Sequence, residues 1–190
     1  MENIYIIGMG YIGFPLACLL SKERKIKCID KDIQKIEQLK NGKILIKEKN
    51  LNKLFKKNFN NLDFKNKIYK EKNRSIFFIC VPTPLKNNKP DLSFLNNVLR
   101  KIEKFIKKGD LIIIESTIPP GTTENIEKKL SAFKRGINLA YCPEKAIPGN
   151  TLYEMINNFR VIGGINTESN KLAKKIYSTF SKKIYLTNPM

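Results

Sequence analysis

The sequence predicts a single α/β domain built on a doubly wound, mostly parallel sheet. Short β-rich segments alternate with longer helical segments along the whole chain. The predicted strands are continuous apolar runs rather than alternating apolar and polar residues, which indicates burial on both faces. With 190 residues and 42% hydrophobic residues, the chain is long enough to enclose one core. Right-handed crossovers between parallel strands would place helices on both faces of the sheet.

Hydrophobic periodicity locates the helices. In the segment that follows the second strand, Ile33, Ile36 and Leu39 share one face, Asp32 can cap the first turn, and Asn41-Gly42 ends the helix. The predicted helices are Tyr11–Ser21, Asp32–Leu39, Leu92–Ile106, Thr122–Phe133 and Ser169–Phe180. Residues 43–73 are rich in Lys and Asn, and they predict an irregular connection with one short amphipathic helix around Leu51.

Apolar runs that end at turn residues locate the strands. Pro82-Thr83-Pro84 and Pro119-Pro120-Gly121 follow two of these runs and stop them, because proline cannot continue a central strand. The predicted strands are Asn3–Ile7, Ile26–Asp30, Ser75–Val81, Leu111–Glu115, Leu139–Cys142, Arg160–Ile162 and Lys183–Leu186.

The formal net charge of +19 raises the possibility of a nucleic-acid partner. The excess is almost all Lys, scattered through helices and loops, without the local stripe of Arg and aromatic residues that a nucleic-acid interface would need. We therefore expect no nucleic-acid partner, although a basic protein still attracts anionic ligands such as nucleotides.

Histidine is absent, which excludes Ser-His-Asp and Cys-His catalysis. The four cysteines are far apart in sequence and predict buried thiols rather than a metal site or a disulfide framework. No apolar run is long enough to cross a membrane, and three glycines interrupt the apolar start Ile4–Leu20, so no signal peptide is expected. The sequence predicts a cytoplasmic protein without a metal.

Gly8-Met9-Gly10-Tyr11-Ile12-Gly13 follows the first strand and opens the first helix, as G-x-G-x-x-G does in a Rossmann-type dinucleotide site. Gly8 permits the tight turn, Gly10 lets a pyrophosphate approach the backbone, and Gly13 lets the helix pack against the strand. The helix N-terminus, which begins near Tyr11 and Ile12, favours phosphate groups.

Asp30 ends the second strand, 17 residues after Gly13, where a carboxylate can accept hydrogen bonds from the hydroxyls of the adenosine ribose. A carboxylate there favours NAD over NADP, whereas Lys31 and Lys35 could partner a 2′-phosphate. The alternative is that the glycines serve only a tight turn and that Asp30 caps the next helix.

Three later strand ends carry hydroxyl or carboxylate groups beside proline-stiffened turns. Singly, each is compatible with ordinary turn chemistry. The segments are Val81-Pro82-Thr83-Pro84, residues 115–122 (ESTIPPGT) and residues 141–149 (YCPEKAIPG).

Together and in this order, from Gly8 to Arg160-Val161-Ile162-Gly163-Gly164, the segments resemble the UDP-glucose/GDP-mannose 6-dehydrogenase family. The residues 141–149 and 160–164 look most like the branch that oxidises UDP-N-acetyl-D-mannosamine to the uronic acid for surface polysaccharides. The resemblance implies an oxidoreductase that moves two hydrides to NAD and passes through a thioester on a cysteine.

The resemblance also implies roles for individual residues. Thr117 and Glu144 match a pair that positions a water molecule, and Glu144 would be the general base of thioester hydrolysis. Lys145 stands where this branch usually has Arg, and would contact the substrate. Phe159 stands where the family usually has an acid. The implied cofactor-binding residues are Gly8, Gly10, Tyr11, Ile12, Gly13, Asp30, Lys35, Val81, Thr83 and Ser116.

In this family the catalytic cysteine, an assisting lysine, the long dimerisation helix and the nucleotide-sugar domain come after the equivalent of residue 190. Residues 1–190 are therefore expected to be one NAD-binding domain that binds a UDP-sugar only when completed, without the helix that would support a homodimer. Cys142 belongs to the Tyr-Cys-Pro-Glu motif and is not expected to replace the missing nucleophile. The alternative is a non-catalytic NAD-binding remnant or sensor.

Overall fold

The computed structural model describes residues 2–69, 71–104, 106–129 and 136–187. Within them the helices are α1 (Gly13–Leu20), α2 (Ile33–Lys40), α3 (Leu51–Asn58), α4 (Ser93–Glu103), α5 (Thr122–Lys129), α6 (Thr151–Asn157) and α7 (Thr167–Tyr177). The strands are β1 (Asn3–Ile7), β2 (Ile26–Ile29), β3 (Leu62–Lys65), β4 (Ser75–Ile79), β5 (Leu85–Lys86), β6 (Lys89–Pro90), β7 (Leu111–Ile114), β8 (Asn138–Tyr141), β9 (Arg160–Gly164) and β10 (Ile184–Leu186).

Eight of these strands form one sheet in the order β10-β9-β8-β7-β4-β1-β2-β3. The six strands from β3 to β8 in that order run parallel, β9 pairs with β8 antiparallel, and β10 is parallel to β9. The chain thus winds outward from β1 in both directions, as in a Rossmann-type sheet. The predicted doubly wound, mostly parallel α/β fold is confirmed.

Two apolar cores lie on opposite faces of this sheet. One packs β-strand residues such as Ile6 and Phe78 against α1, α2, α3, α6 and α7, and the other packs Phe77 and Ile112 against α4 and α5. Every residue of α1 is buried, because this helix lies between the sheet and α3. No helix in the described ranges has both the length and the apolar character needed to cross a bilayer.

The prediction of an irregular connection over residues 43–73 was incomplete. The expected short helix is present as α3, but residues 62–65 also form β3, which extends the sheet by pairing with β2 alone. Leu62 and Phe64 face the core while Asp63 and Lys65 do not, so the strand shows only two apolar residues within a Lys- and Asn-rich segment. That pattern is too short to distinguish an edge strand from a loop.

Two further elements were not predicted. The short helix α6 follows the loop after β8, and a two-stranded hairpin joins β5 to β6 through Asn87 and Asn88, both in the left-handed region (φ 51° and 58°). The predicted cap of α2 is present, because the Asp32 side chain accepts from the N–H of Lys35. The last part of the helix predicted over Thr122–Phe133 lies outside the described residues.

A buried ionic cluster attaches β9 and α7 to the centre of the sheet. One nitrogen (Nη1) of the Arg160 guanidinium lies 3.3 Å from both carboxylate oxygens of Glu115, which follows β7. The hydroxyl of Tyr177 donates to Glu115, and the Tyr177 ring lies 4.6 Å below the guanidinium. The Arg160 and Glu115 side chains are 4% and 0% exposed. We call Glu115, Arg160 and Tyr177 the Arg160 cluster.

Burial raises the pKa of Glu115 from its ordinary 4.5 to about 7, because a charged carboxylate loses its hydration there. Arg160 and the Tyr177 hydroxyl oppose this rise in pKa, whereas the nearby Glu144 adds to it. Between pH 4.5 and about 7, the folded chain therefore holds a proton at Glu115 that the unfolded chain has already released.

This proton predicts how stability depends on pH. Because the folded state binds more protons in this window, the contribution of Glu115 to the free energy of unfolding should fall as pH rises from 4.5 to about 7. Each unit of pKa difference corresponds to about 1.4 kcal/mol. Urea titrations of the wild type and of Glu115→Gln between pH 4 and pH 8 measure this contribution to the free energy of unfolding. A stability difference between the two proteins that is the same at both ends of this range would contradict the assignment.

Candidate functional site

A cavity of about 1080 Å³ opens at the carboxyl ends of β1, β2 and β4. Its walls come from the loop that follows each of these strands, from the loop after β3, and from one side of α4. This is the edge of an open parallel sheet at which ligands bind, close to the point where the strand order reverses. The cavity is therefore the candidate site.

The glycine turn after β1 forms the floor of this cavity. Gly8 has φ +101°, and a Cβ atom there would lie 2.4 Å from the carbonyl oxygen of Cys80. A Cβ on Gly13 would lie 1.9 Å from the carbonyl oxygen of Gly8. A Cβ on Gly10, in contrast, would meet no atom within 4 Å. Gly8 and Gly13 are thus required by packing, whereas Gly10 lines the cavity and leaves its floor open to a ligand.

Asp30 joins this turn to the start of α2. One carboxylate oxygen (Oδ2) accepts from the N–H of Met9 at 2.8 Å and from the ammonium of Lys35 at 3.0 Å. The other (Oδ1) accepts from the N–H of Asp32 at 3.0 Å. The Asp30 residue is 8% exposed and lines the cavity. Asp32, not Asp30, caps the helix. Asp30 and Lys35 form an ion pair that lines the cavity.

The segment after β4 forms the next wall. Val81 lines the cavity, whereas Thr83 and Ser116 are not among its lining residues. The Ser116 hydroxyl donates to the carbonyl oxygen of Val81 at 2.7 Å, and Ser116 is 8% exposed. Ser116 therefore does not reach the cavity itself, and it contributes to this wall by holding the backbone of Val81 in place. Of the other predicted cofactor residues, Tyr11 and Ile12 also line the cavity, and Gly13 lies behind it.

The predicted catalytic residues lie on the neighbouring strand ends, outside this cavity. Glu144 accepts from the N–H groups of Lys145 (2.8 Å) and Ala146 (2.9 Å) with one oxygen, Oε1, and pairs with Arg160 through the other. Its own N–H bonds to the carbonyl oxygen of Glu115 at 3.4 Å, which places the loop after β8 beside the end of β7. Thr117 and Lys145 are exposed at this edge.

Cys142 is deeply buried beneath the same loop. Burial raises its pKa to about 12, because a thiolate would lose its hydration and would face Glu115. The thiol is therefore protonated near neutral pH, and this agrees with the expectation that it is not the nucleophile.

One wall of the cavity was missed by sequence reasoning. It comes from Asn66, Lys67 and Ile68 after β3, and from α4 residues that include Phe94 and Asn97. The loop after β3 could not be assigned to the site, because β3 itself was not predicted. In α4, the apolar face marked the residues that pack on the sheet, and nothing in the pattern distinguished the side of the helix that borders the cavity.

The comparisons with known proteins agree with this geometry. The family model for the NAD binding domain of the UDP-glucose/GDP-mannose dehydrogenase family matches residues 2–181. A UDP-N-acetyl-D-mannosamine dehydrogenase from Methanocaldococcus jannaschii is 42% identical, over 98% of this chain and 45% of that protein. The enzyme of the same name from Yersinia pestis is 35% identical, over 94% of this chain and 46% of that protein.

Solved structures give the same result. The UDP-D-ManNAc dehydrogenase from Pyrococcus horikoshii has a TM-score of 0.92 at 33% identity, over 99% of this chain and 47% of that one. The UDP-N-acetyl-mannosamine dehydrogenase from Staphylococcus aureus has a TM-score of 0.87 at 30% identity, over 99% and 48%. The chain spans about half the length of these relatives. It belongs to the UDP-glucose/GDP-mannose dehydrogenase family, of which it forms the NAD-binding domain.

Proposed function

We propose that this chain supplies the cofactor half of an NAD-dependent dehydrogenase that oxidises the C6 alcohol of a UDP-sugar to a carboxylate. The observation that carries the proposal is the cavity at the ends of β1, β2 and β4, with an open floor at Gly10 and a carboxylate at Asp30. The names of the relatives support UDP-N-acetyl-D-mannosamine as the sugar nucleotide.

The residues of the cavity fit NAD at three points. A diphosphate can approach the backbone at Gly10, where no Cβ atom stands in its way. Asp30 and Lys35 can then accept from and donate to the adenosine ribose hydroxyls. Five lysines of the cavity wall attract the anionic cofactor, and they outnumber the two acids there. The lysines are Lys31, Lys35, Lys67, Lys101 and Lys104.

When bound, NAD supplies the acceptor for hydride. Val81, whose backbone is held by the Ser116 hydroxyl, would contact the nicotinamide half and direct it toward the ends of β7 and β8. Glu144 and Thr117 hold a water molecule there, and Lys145 contacts the sugar nucleotide. Glu144 is suited to accept a proton from water because its carboxylate has a fixed orientation at the edge of the sheet.

Exchanging single glycines for alanine separates ligand binding from folding. Gly10→Ala adds a methyl group where the chain has open space, so the free energy of unfolding should change by less than about 0.5 kcal/mol. The same methyl group would stand under the diphosphate and should weaken NAD binding about tenfold or more. Gly13→Ala should instead cost about 1–3 kcal/mol of stability through overpacking. Calorimetric NAD titration and urea unfolding measure the two effects; equal NAD affinity in Gly10→Ala would remove the diphosphate from this turn.

Asp30→Ala should weaken NAD binding about 10- to 100-fold, because a charge-assisted hydrogen bond contributes about 1.5–3 kcal/mol. Asp30→Asn tests the charge alone, since an amide can still accept from the N–H of Met9. Asp32→Asn is the matched control, because Asn caps a helix as well as Asp and the neighbouring charge is also lost. Binding that is as strong in both Asp30 variants as in Asp32→Asn would exclude Asp30 from ribose recognition.

These 190 residues alone should bind NAD without turning it over, because the family resemblance implies that the catalytic cysteine lies elsewhere. We expect no rise in NADH absorbance when the purified chain is mixed with NAD and UDP-N-acetyl-D-mannosamine. The full-length Methanocaldococcus jannaschii relative is the positive control. Sustained NADH formation by the chain would show that another nucleophile is present.

A further inference from the structure

The carboxylate of Glu144 has partners on both oxygens. Its Oε1 accepts from two successive backbone N–H groups, those of Lys145 and Ala146, at 2.8 and 2.9 Å. Its Oε2 is paired with Nη2 of Arg160. The side chain is 6% exposed. The two N–H groups belong to the same loop and move with it, so Arg160 is the partner that ties the carboxylate to the sheet.

Arg160 is itself held in place. It is the first residue of β9, and its backbone N–H bonds to the carbonyl oxygen of Lys183 at 2.8 Å. Glu115 accepts from its Nη1, and the rings of Tyr177 and Phe180 lie 4.6 and 5.6 Å from the guanidinium carbon. A planar guanidinium enclosed in this way has one available orientation.

In the part of the chain that the structure describes, Arg160 forms ion pairs with two acids. Glu115 and Glu144 are the acids, and Arg160 is the base between them. Cys142 and Cys80 face the Arg160 cluster, and Tyr177 belongs to it. Burial raises the pKa of all three, so each is neutral near pH 7. One guanidinium is therefore shared by two carboxylates, and Glu115 and Glu144 are coupled through it.

We propose that Arg160 is a positioning residue that fixes the carboxylate of Glu144 for its reaction with water, with Glu115 and Tyr177 holding the guanidinium from behind. The proposal rests on the function assigned above to Glu144. Arg160 acts through the orientation of Glu144, and it is not among the residues that line the cofactor cavity.

A second anchor on the same loop provides the control. Glu48 accepts from the N–H of Gly149 at 2.9 Å and from the Thr151 hydroxyl at 3.1 Å. Glu48 therefore holds the far end of the loop, where Gly149 lies five residues beyond Glu144. A general loosening of the loop and a specific loss of Glu144 orientation should affect different N–H groups.

Amide hydrogen exchange, resolved residue by residue by NMR, tests the inference on the chain as it stands. In Arg160→Met, exchange of the Lys145 and Ala146 amides should accelerate about 10- to 100-fold, because the acceptor that protects them is no longer held. Arg160→Lys, which keeps the charge, should recover part of the protection. Glu48→Gln should accelerate exchange at Gly149 and leave Lys145 and Ala146 as in the wild type.

A double-variant cycle separates positioning from a structural effect. If Arg160 acts through Glu144, then Glu144→Ala, which removes the acceptor, should accelerate exchange at the same two amides, and adding Arg160→Met to it should change nothing further. Additive effects in the cycle, or wild-type exchange of Lys145 and Ala146 in Arg160→Met, would overturn the proposal. Core amides such as those of Ile6 and Phe78 report whether each variant is folded.

Removing Arg160 alone leaves Glu115 buried without its partner and could unfold the chain. In that case Glu115→Gln combined with Arg160→Met removes both ionisable partners of the buried pair, and the same exchange rates are compared with those of Glu115→Gln alone. NAD affinity should match the wild type in Glu48→Gln, because Glu48 does not line the cavity. Failure of the wild type to bind NAD would contradict the proposed function, and it would leave the exchange result unaffected.

Discussion

The fold depends on a close contact between the opening turn and the centre of the sheet. Helix α1 is buried along its entire length, and it can lie there only because Gly8 and Gly13 carry no side chain. A methyl group at either glycine would overlap a backbone carbonyl oxygen, which no rotamer change can relieve. The core on this face, to which α3, α6 and α7 also contribute, is assembled around this helix.

The same contact forms the site. Because the turn is held against β4, the N–H of Met9 points toward the end of β2 and meets Asp30 there. The carboxylate is thus fixed at the cavity wall by the backbone before any ligand arrives. Preorganised groups of this kind lose little freedom on binding, so the interaction with a ligand retains more of its free energy. The fold and the cavity therefore depend on one set of residues.

The buried carboxylates of Asp30 and Glu115 differ in their hydrogen-bond partners and in their exposure to solvent. Asp30 accepts from two backbone N–H groups and from a partly exposed lysine, at the edge of an open cavity. Glu115 has a guanidinium and a hydroxyl as partners but no exposure, and its pKa rises to about 7. The pKa of Glu115 rises because the interior removes more from the charge of its carboxylate than Arg160 restores. Arg160 is in turn the link between this acid and Glu144.

The sequence by itself determined the central strands, the helices with a clear apolar face, and the glycine turn with its acid, because each depends on neighbours within a few residues. Only the tertiary structure decided that β3 extends the sheet, that the wall from Asn66 to Ile68 belongs to the cavity, and that Glu115 faces Arg160 rather than a ligand. Glu115 and Arg160 are 45 residues apart, and Glu48 and Gly149 are 101 apart. Contacts over such distances arise from the packing of whole elements, and no local pattern of residue types specifies them.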